Sequence, residues 1–225
     1  MMQLLNVSKY YNMIFRFGKF LMFVCFIIIL SIPAEAKENF FIKIKILENV
    51  SIEIPKTWHI MRDNELVALN TSARSIIDLS GVNANYSNKD GIIFLSKFID
   101  KELFASVNIV KITSTGVQRN SVKTFNERQM KVLDSKAYNL SLSILSQLQG
   151  DISNWESLKK VNVGKDIVLK SGCLVSFNGA QTVKCDMYQF YSTDTIFQVT
   201  TMTTLQGQHI NYPILNRIVN SFNIR

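Results

Sequence analysis

Few side chains in this 225-residue chain are of types that commonly act in catalysis or bind metals. They are two histidines, His59 and His209, and two cysteines, Cys173 and Cys185. A histidine activates a serine hydroxyl when a carboxylate orients its ring. The two histidines are therefore the hydrolase candidates. No G-x-S-x-G elbow, H-E-x-x-H pair or glycine-rich phosphate loop accompanies them. The sequence therefore assigns no catalytic residue and no cofactor.

The cysteines favour a structural role. A third cysteine, Cys25, lies inside an apolar run near the start of the chain. Cys173 and Cys185 have neither a C-x-x-C redox spacing nor the spacing of a metal site, so no metal site is predicted. Two cysteines left in an exported chain predict one disulfide, with free or metal-binding thiols as the alternative.

The segment before residue 37 has the pattern of a secretory signal peptide. Basic residues precede the apolar run 20–32, and an A-x-A segment, 34–36, follows it. At thirteen residues the run is shorter than a membrane-spanning helix requires. We expect cleavage after Ala36, export to the periplasm or medium, and no membrane span in the mature chain. An uncleaved anchor is the alternative.

Charge and length narrow the class of partner. Removing residues 1–36 lowers the formal net charge from +8 to +6 and leaves residues 37–225 as one expected domain. The basic residues are scattered and form no stripe interleaved with aromatics, which argues against nucleic acid. Weak attraction to anionic envelope surfaces is compatible with this charge.

Periodicity predicts strands first and then a helix. Apolar residues alternate through 42–46 and 49–55, with an interruption at Glu48-Asn49 and an end at Pro55. A helix should start at Asp63 or Asn64, which can cap it, and stop at Gly81. Two strands should follow, joined near residues 100–101.

The second half should contain a long helix, a strand-rich region and a terminal helix. Thr124 and Glu127 predict a capping box at the start of the long helix, Gly150 its end, and residues 134–137 an interruption. In the hairpin near Asn178-Gly179, a three-residue loop, 178–180, would set Cys173 opposite Cys185. Pro213 should lie in the first turn of the last helix. The resulting class is α+β, with helices covering an antiparallel sheet.

Aromatic residues are the candidates for recognition. Tyr188 and Phe190 share one face of a predicted strand, with Met187 and Tyr191 on the other. Such a strand suits the centre of a sheet covered on both sides, which predicts core packing. The alternative is a binding groove, because aromatics are enriched at interfaces. With Trp58 and His59, Tyr188 and Phe190 are the candidate partner-binding residues.

A strand that ends at Pro55 and is followed by Trp58 resembles the opening of the PsbP/Mog superfamily, which includes DcrB-type envelope proteins and DUF1795-type secretion chaperones. The closing strand and helix, which ends near Ser221, are similar to that family's ending. The resemblance implies an α/β/α sandwich around an antiparallel sheet. It also implies a binding role, since family members mostly bind other proteins. The lipid-anchor cysteine of DcrB-type proteins is absent from this sequence.

Three classes of function remain open. The first is an exported binding or accessory protein that recognises a protein partner in the cell envelope. The second is a periplasmic immunity or inhibitor protein, which a small basic exported domain would also suit. The third is a hydrolase, and it requires His59 or His209 to lie in a polar cleft beside a carboxylate.

Overall fold

A computed structural model describes residues 41–79, 90–100, 103–114, 121–177 and 180–225. Ten strands and four helices lie in these ranges. The strands are β1 Phe41–Leu47, β2 Val50–Pro55, β3 His59–Ile60, β4 Gly91–Asp100, β5 Leu103–Thr113, β6 Gly150–Val163, β7 Asp166–Phe177, β8 Val183–Ser192, β9 Thr195–Thr204 and β10 Asn223–Ile224. The helices are α1 Asp63–Leu79, α2 Ser121–Thr124, α3 Glu127–Gln147 and α4 Gln208–Ser221.

The strands form two antiparallel sheets, which confirms the predicted α+β class. The large sheet has seven strands in the order β3-β4-β5-β9-β8-β7-β6, and the small sheet has the order β1-β2-β10. The predicted interruption between two strands at Glu48-Asn49 is a two-residue turn, across which Leu47 pairs with Val50. The predicted signal peptide, 1–36, and the turn residues Asn178 and Gly179 lie outside the described residues.

Both faces of the large sheet are covered, as the residue pattern of β8 predicts. Met187 and Tyr191 pack in one apolar cluster with side chains of α1 and α3, among them Leu69 and Leu145. Tyr188 and the other residues of the opposite face pack with α4 and with the small sheet. Helices therefore lie on both sides of the large sheet, and the small sheet shares one side with α4.

The helix starts differ in part from the predictions. The carboxylate of Glu65 accepts a hydrogen bond from the backbone N–H of Arg62 at 2.8 Å, which places the cap of α1 at Arg62. The capping box of α3 is formed by Asn126 and Gln129, whose side chains each accept the other's backbone N–H at 2.9 Å. The prediction of a Thr124–Glu127 box was therefore wrong, because Thr124 ends the separate helix α2.

Two further predictions are corrected. Helix α3 runs without interruption from Glu127 to Gln147, so the expected break at residues 134–137 does not occur. Helix α4 begins at Gln208, which places Pro213 in its interior rather than in its first turn. After α4 the chain forms β10, which pairs with β2.

Helix side chains cap strand edges at three places. The amide of Asn70 in α1 accepts the N–H of Ile92 at 2.8 Å and donates to its carbonyl at 2.9 Å, as a neighbouring strand would. Asp134 of α3 accepts the N–H of Leu158 in β6 at 2.7 Å. Ser221 of α4 accepts the N–H of Glu53 in β2 at 2.8 Å.

Candidate functional site

His59 lies on the short edge strand β3 beside a carboxylate. Its Nε2 is 3.7 Å from Oε1 of Glu65, but 53% of its side chain is exposed. The hydroxyl of Ser96 donates to the backbone carbonyl of His59 at 3.1 Å, not to the ring. On the face of the sheet that carries His59, the register places Lys97 between it and Ser106. The carboxylate that a hydrolase needs is present, whereas the cleft and the adjacent serine are not part of this arrangement.

The carboxylate beside His59 belongs to the cap at the start of α1. The backbone N–H of Arg62 lowers the pKa of Glu65; burial opposes this shift, and His59 adds to it. Burial lowers the pKa of Lys97, and Glu65 partly offsets that shift. His209 is exposed on α4, and no acidic side chain in the described part of the chain forms an ion pair with it. In the described ranges, His59 is thus the histidine that lies beside a carboxylate, and both histidines are exposed.

Three of the four candidate partner-binding residues lie in the core. Trp58, Tyr188 and Phe190 are 6%, 5% and 1% exposed. The ring of Phe190 packs on Phe222 of α4 with centroids 4.6 Å apart. These three side chains pack in the cluster between the large sheet on one side and α4 with the small sheet on the other, the core packing that the strand pattern predicts for Tyr188 and Phe190. Only His59 is accessible to a partner.

Cys173 and Cys185 are directly opposite each other on β7 and β8, the register that a three-residue loop predicts. Both are buried and neither is in a disulfide in this structure. A hydrogen bond between the two thiols, together with burial, raises the pKa of Cys173 well above its usual value.

A charged cluster lies on the α4 side of the large sheet. This Asp186 cluster consists of Glu156, Lys170, Lys184, Asp186 and Tyr188. Oδ1 of Asp186 is 3.4 Å from Nζ of Lys170 and 3.8 Å from Nζ of Lys184, and the Asp186 side chain is 3% exposed. Lys184 also donates a short hydrogen bond to Glu156, and Nζ of Lys170 lies 5.2 Å from the centre of the Tyr188 ring.

Gly172 is required beside this cluster. It is directly opposite Asp186 in the pairing of β7 with β8. A Cβ at this position would lie 2.7 Å from Oδ1 of Asp186, closer than any real contact of that kind. The missing side chain makes room for a buried carboxylate between two lysines, whose ammonium groups offset the cost of burying it.

The pKa values of three groups in this cluster, Lys170, Tyr188 and Glu156, are shifted. Burial alone would lower the pKa of Lys170, but Asp186, helped by Tyr188 and Tyr212, raises it above its usual value. Burial and the charge of Asp186 raise the pKa of Tyr188 to about 12. The hydrogen bond from Lys184 lowers the pKa of Glu156 despite partial burial. All three shifts move away from neutrality, the opposite of what a general acid or base requires.

The Asp186 cluster was not predicted from the sequence, although charged residues within two strands indicate it. Lys170, Lys184 and Asp186 are charged residues inside strands that are otherwise apolar. The register that pairs the two cysteines also sets Lys170 opposite Tyr188 and Gly172 opposite Asp186. Among the described residues, no group of three or more His, Cys, Asp or Glu side chains could hold a metal ion.

Exposed large apolar side chains are few in the described ranges. Leu205, in the turn before α4, and Ile210, in the first turn of α4, are 41% and 49% exposed. Val67 on α1 and Leu142 on α3 are exposed on the other side of the large sheet. No helix within the described ranges is long and apolar enough to cross a membrane.

Comparison with known proteins identifies similar folds. No protein-family profile matches the chain, and no curated protein matches its sequence. Among solved structures it is similar to cyanobacterial PsbP (CyanoP) from Synechocystis sp. PCC 6803, with 10% identity, a TM-score of 0.46, and coverage of 87% of this chain and 99% of that one. It is also similar to the Ran-binding protein Mog1p of Saccharomyces cerevisiae, with 12% identity, a TM-score of 0.40, and coverage of 83% and 96%.

A protein from Bacteroides thetaiotaomicron is similar at 10% identity and a TM-score of 0.43, over 78% of this chain. The chain spans 45% of that protein's length. Two of these similar structures, PsbP (CyanoP) and Mog1p, thus carry the names of the superfamily that the sequence resembles. At these identities the similarity concerns the fold and leaves the function to be argued from the residues themselves.

Proposed function

We propose that the protein is an exported, non-catalytic binding protein that recognises a protein partner in the cell envelope. The observation that carries the non-catalytic part of this proposal is the Asp186 cluster. The pKa values of its Lys170, Tyr188 and Glu156 are all displaced away from neutrality. Groups shifted in this direction are unsuited to act as a general acid or base. The exposed setting of His59 and His209 supports the same conclusion.

Export is supported by the sequence pattern of residues 1–36, a basic segment, a short apolar run and an A-x-A segment. The experiment is in-cell crosslinking of the tagged full-length protein in its host, followed by mass spectrometry of the protein and its captured partners. We expect a mature N-terminus at Lys37 and one reproducible envelope partner. A processed protein with no partner would contradict the binding function, and an uncleaved segment 20–32 would contradict export.

A double variant, His59→Ala with His209→Ala, separates binding from hydrolysis. We expect the crosslinked partner to be retained, because neither imidazole has a catalytic setting. Loss of function in the host with the partner still bound would favour the hydrolase. The partner's identity decides the immunity alternative, since a captured toxin would assign the protein to that class.

Export also leads us to propose a Cys173–Cys185 disulfide in the mature protein. The register sets the two residues directly opposite each other, and oxidising compartments form such bonds. Mass spectrometry of the alkylated, unreduced protein should show both thiols protected. Alkylation of both cysteines after unfolding without reductant would contradict the disulfide.

A further inference from the structure

The outer edge of β1 differs from the parts of β4, β6 and β2 to which helix side chains bond. Asn70, Asp134 and Ser221 each cap a strand with a hydrogen bond to its backbone. Strand β1 lies at one end of the small sheet, and within the described ranges it has a hydrogen-bonded strand on one side only. An edge strand presents a row of backbone donors and acceptors that an additional strand can pair with.

The apolar side of β1 is incompletely covered. Ile42 and Ile44 pair with Ile54 and Ile52 of β2, so the four side chains lie on one face of the small sheet. Ile44, Ile52 and Ile54 pack in the apolar cluster between this sheet and the large sheet. The two β2 residues are completely buried, whereas Ile42, Ile44 and Ile46 are only half-buried. A strand added beside β1 would cover this remaining apolar surface.

The opposite side of β1 is positively charged. Lys43 and Lys45 are both exposed there and lie opposite Glu53 and Ser51. The carboxylate of Glu53 already forms an ion pair with Arg217, at 3.6 Å. This side of the edge therefore carries an excess of positive charge. In a β-sheet, directly opposite side chains of opposite charge stabilise pairing, and like charges oppose it.

We propose that the outer edge of β1 binds an extended segment of the protein partner whose residues alternate between acidic and apolar, as an additional strand of the small sheet. The acidic residues lie beside Lys43 and Lys45, and the apolar residues beside Ile42, Ile44 and Ile46. This inference rests on the proposed binding function and adds the surface and the chemistry of the partner. A second copy of the chain fits less well, because pairing two β1 edges brings their lysines together.

The probe is a synthetic peptide that alternates glutamate and valine, added to the exported protein purified from its host. Binding is measured by fluorescence anisotropy, and the site by hydrogen exchange of backbone amides. We expect slower exchange in β1 when the peptide is bound. In the variant Lys43→Glu with Lys45→Glu, affinity for this peptide should fall about tenfold, and affinity for a lysine–valine peptide should rise.

The control variant is Lys123→Glu with Lys131→Glu, which makes the same change of net charge on the side of the large sheet that α1 and α3 cover. Both lysines are exposed there, and we expect peptide affinity to be unchanged. Equal affinities in the two double variants would overturn the inference. So would peptide binding without protection of β1, or concentration-dependent protection of β1 in the absence of peptide, which would indicate a second copy.

Crosslinking in the host separates this inference from the proposed function. Loss of the captured partner in the Lys43→Glu, Lys45→Glu variant, with retention in the control, supports both. Retention in both variants overturns the β1 site and leaves the binding function standing. Absence of any partner for the unmodified protein contradicts the binding function, and the β1 site is then judged by the peptide alone.

Discussion

Two kinds of strand edge differ in what lies beside their backbone: at the first kind a helix side chain forms a hydrogen bond to the strand, and at the outer edge of β1 it does not within the described ranges. At β4, β6 and β2, a helix supplies one polar side chain, from Asn70, Asp134 or Ser221, that pairs with a backbone group. At β1, lysines alternate with half-buried isoleucines and no helix side chain in the described ranges takes that role. At these three positions a helix side chain pairs with the strand backbone, whereas at the outer edge of β1 the positive charge discourages pairing with a second copy.

The largest expected effect is at Asn70. Replacing it with alanine leaves both backbone groups of Ile92, a residue that is 3% exposed, without their partner. We expect the free energy of unfolding to fall by about 3 kcal/mol, since each buried unsatisfied group costs roughly 1–3 kcal/mol. Urea unfolding of the wild type and of Asn70→Ala measures this change in the free energy of unfolding. The control Asn220→Ala removes an exposed amide that bonds only within α4. Equal stabilities of the two variants would contradict capping.

The next effect is at Asp134, whose Oδ1 accepts from the N–H of Leu158 at 2.7 Å and from Nε1 of Trp155 at 3.0 Å. Asp134→Ala should lower the free energy of unfolding by about 2 kcal/mol, and Asp134→Asn by less because one acceptor remains. Unfolding followed by tryptophan fluorescence reports the change. Lys131→Ala, an exposed substitution on the same helix, should have almost no effect. Comparable losses in Asp134→Ala and Lys131→Ala would exclude a capping role.

A smaller effect is expected at Ser221, which accepts one backbone N–H, from Glu53. Ser221→Ala should cost about 1 kcal/mol of unfolding free energy, the typical net value of one hydrogen bond. Ser75→Ala is the matched control, because Ser75 is exposed and its hydroxyl bonds only to its own helix. Chemical denaturation of both variants would show whether the bond to β2 adds stability; if the two curves coincide, it does not.

The smallest effect concerns Glu156, which lies between two irregularities of the edge strand β6. The hydrogen bond from Lys184 lowers its pKa in the folded state. Its contribution is therefore present above the ordinary value of 4.5 and is lost as pH falls through the lowered pKa. The stability difference between the wild type and Glu156→Gln should shrink below about pH 4.5. A stability difference between the wild type and Glu156→Gln that persists at low pH would refute the pairing.

Local patterns in the sequence predict most strands, because alternation directly reflects one buried face. The end of β2 at Pro55 and the pairing of Cys173 with Cys185 follow from such rules. Helix starts are less certain, since Thr124–Glu127 and Asn126–Gln129 are both suitable capping pairs by residue type. Contacts elsewhere in the fold decide between them. Strand β10 has two residues, too few for any periodicity.

The site was predictable only in part, because exposure is a property of the whole fold. An aromatic residue on a strand suits a core as well as a groove, so Tyr188 and Phe190 could not be placed by type alone. The packing of α4 buries them. The Asp186 cluster depends on pairings among three strands, and those pairings emerge only once the hairpin register is fixed.

The hydrogen bonds between Asn70 and Ile92 also connect the docking of α1 to protection of the folding chain from aggregation. Residues 70 and 92 are distant in the chain, so α1 must dock before the backbone of β4 at Ile92 is capped. Until then, an apolar strand with unpaired backbone groups is available to other chains, the situation that leads to aggregation during folding. Slow docking of α1 would therefore leave the backbone of Ile92 open to other chains for longer, until Asn70 reaches it.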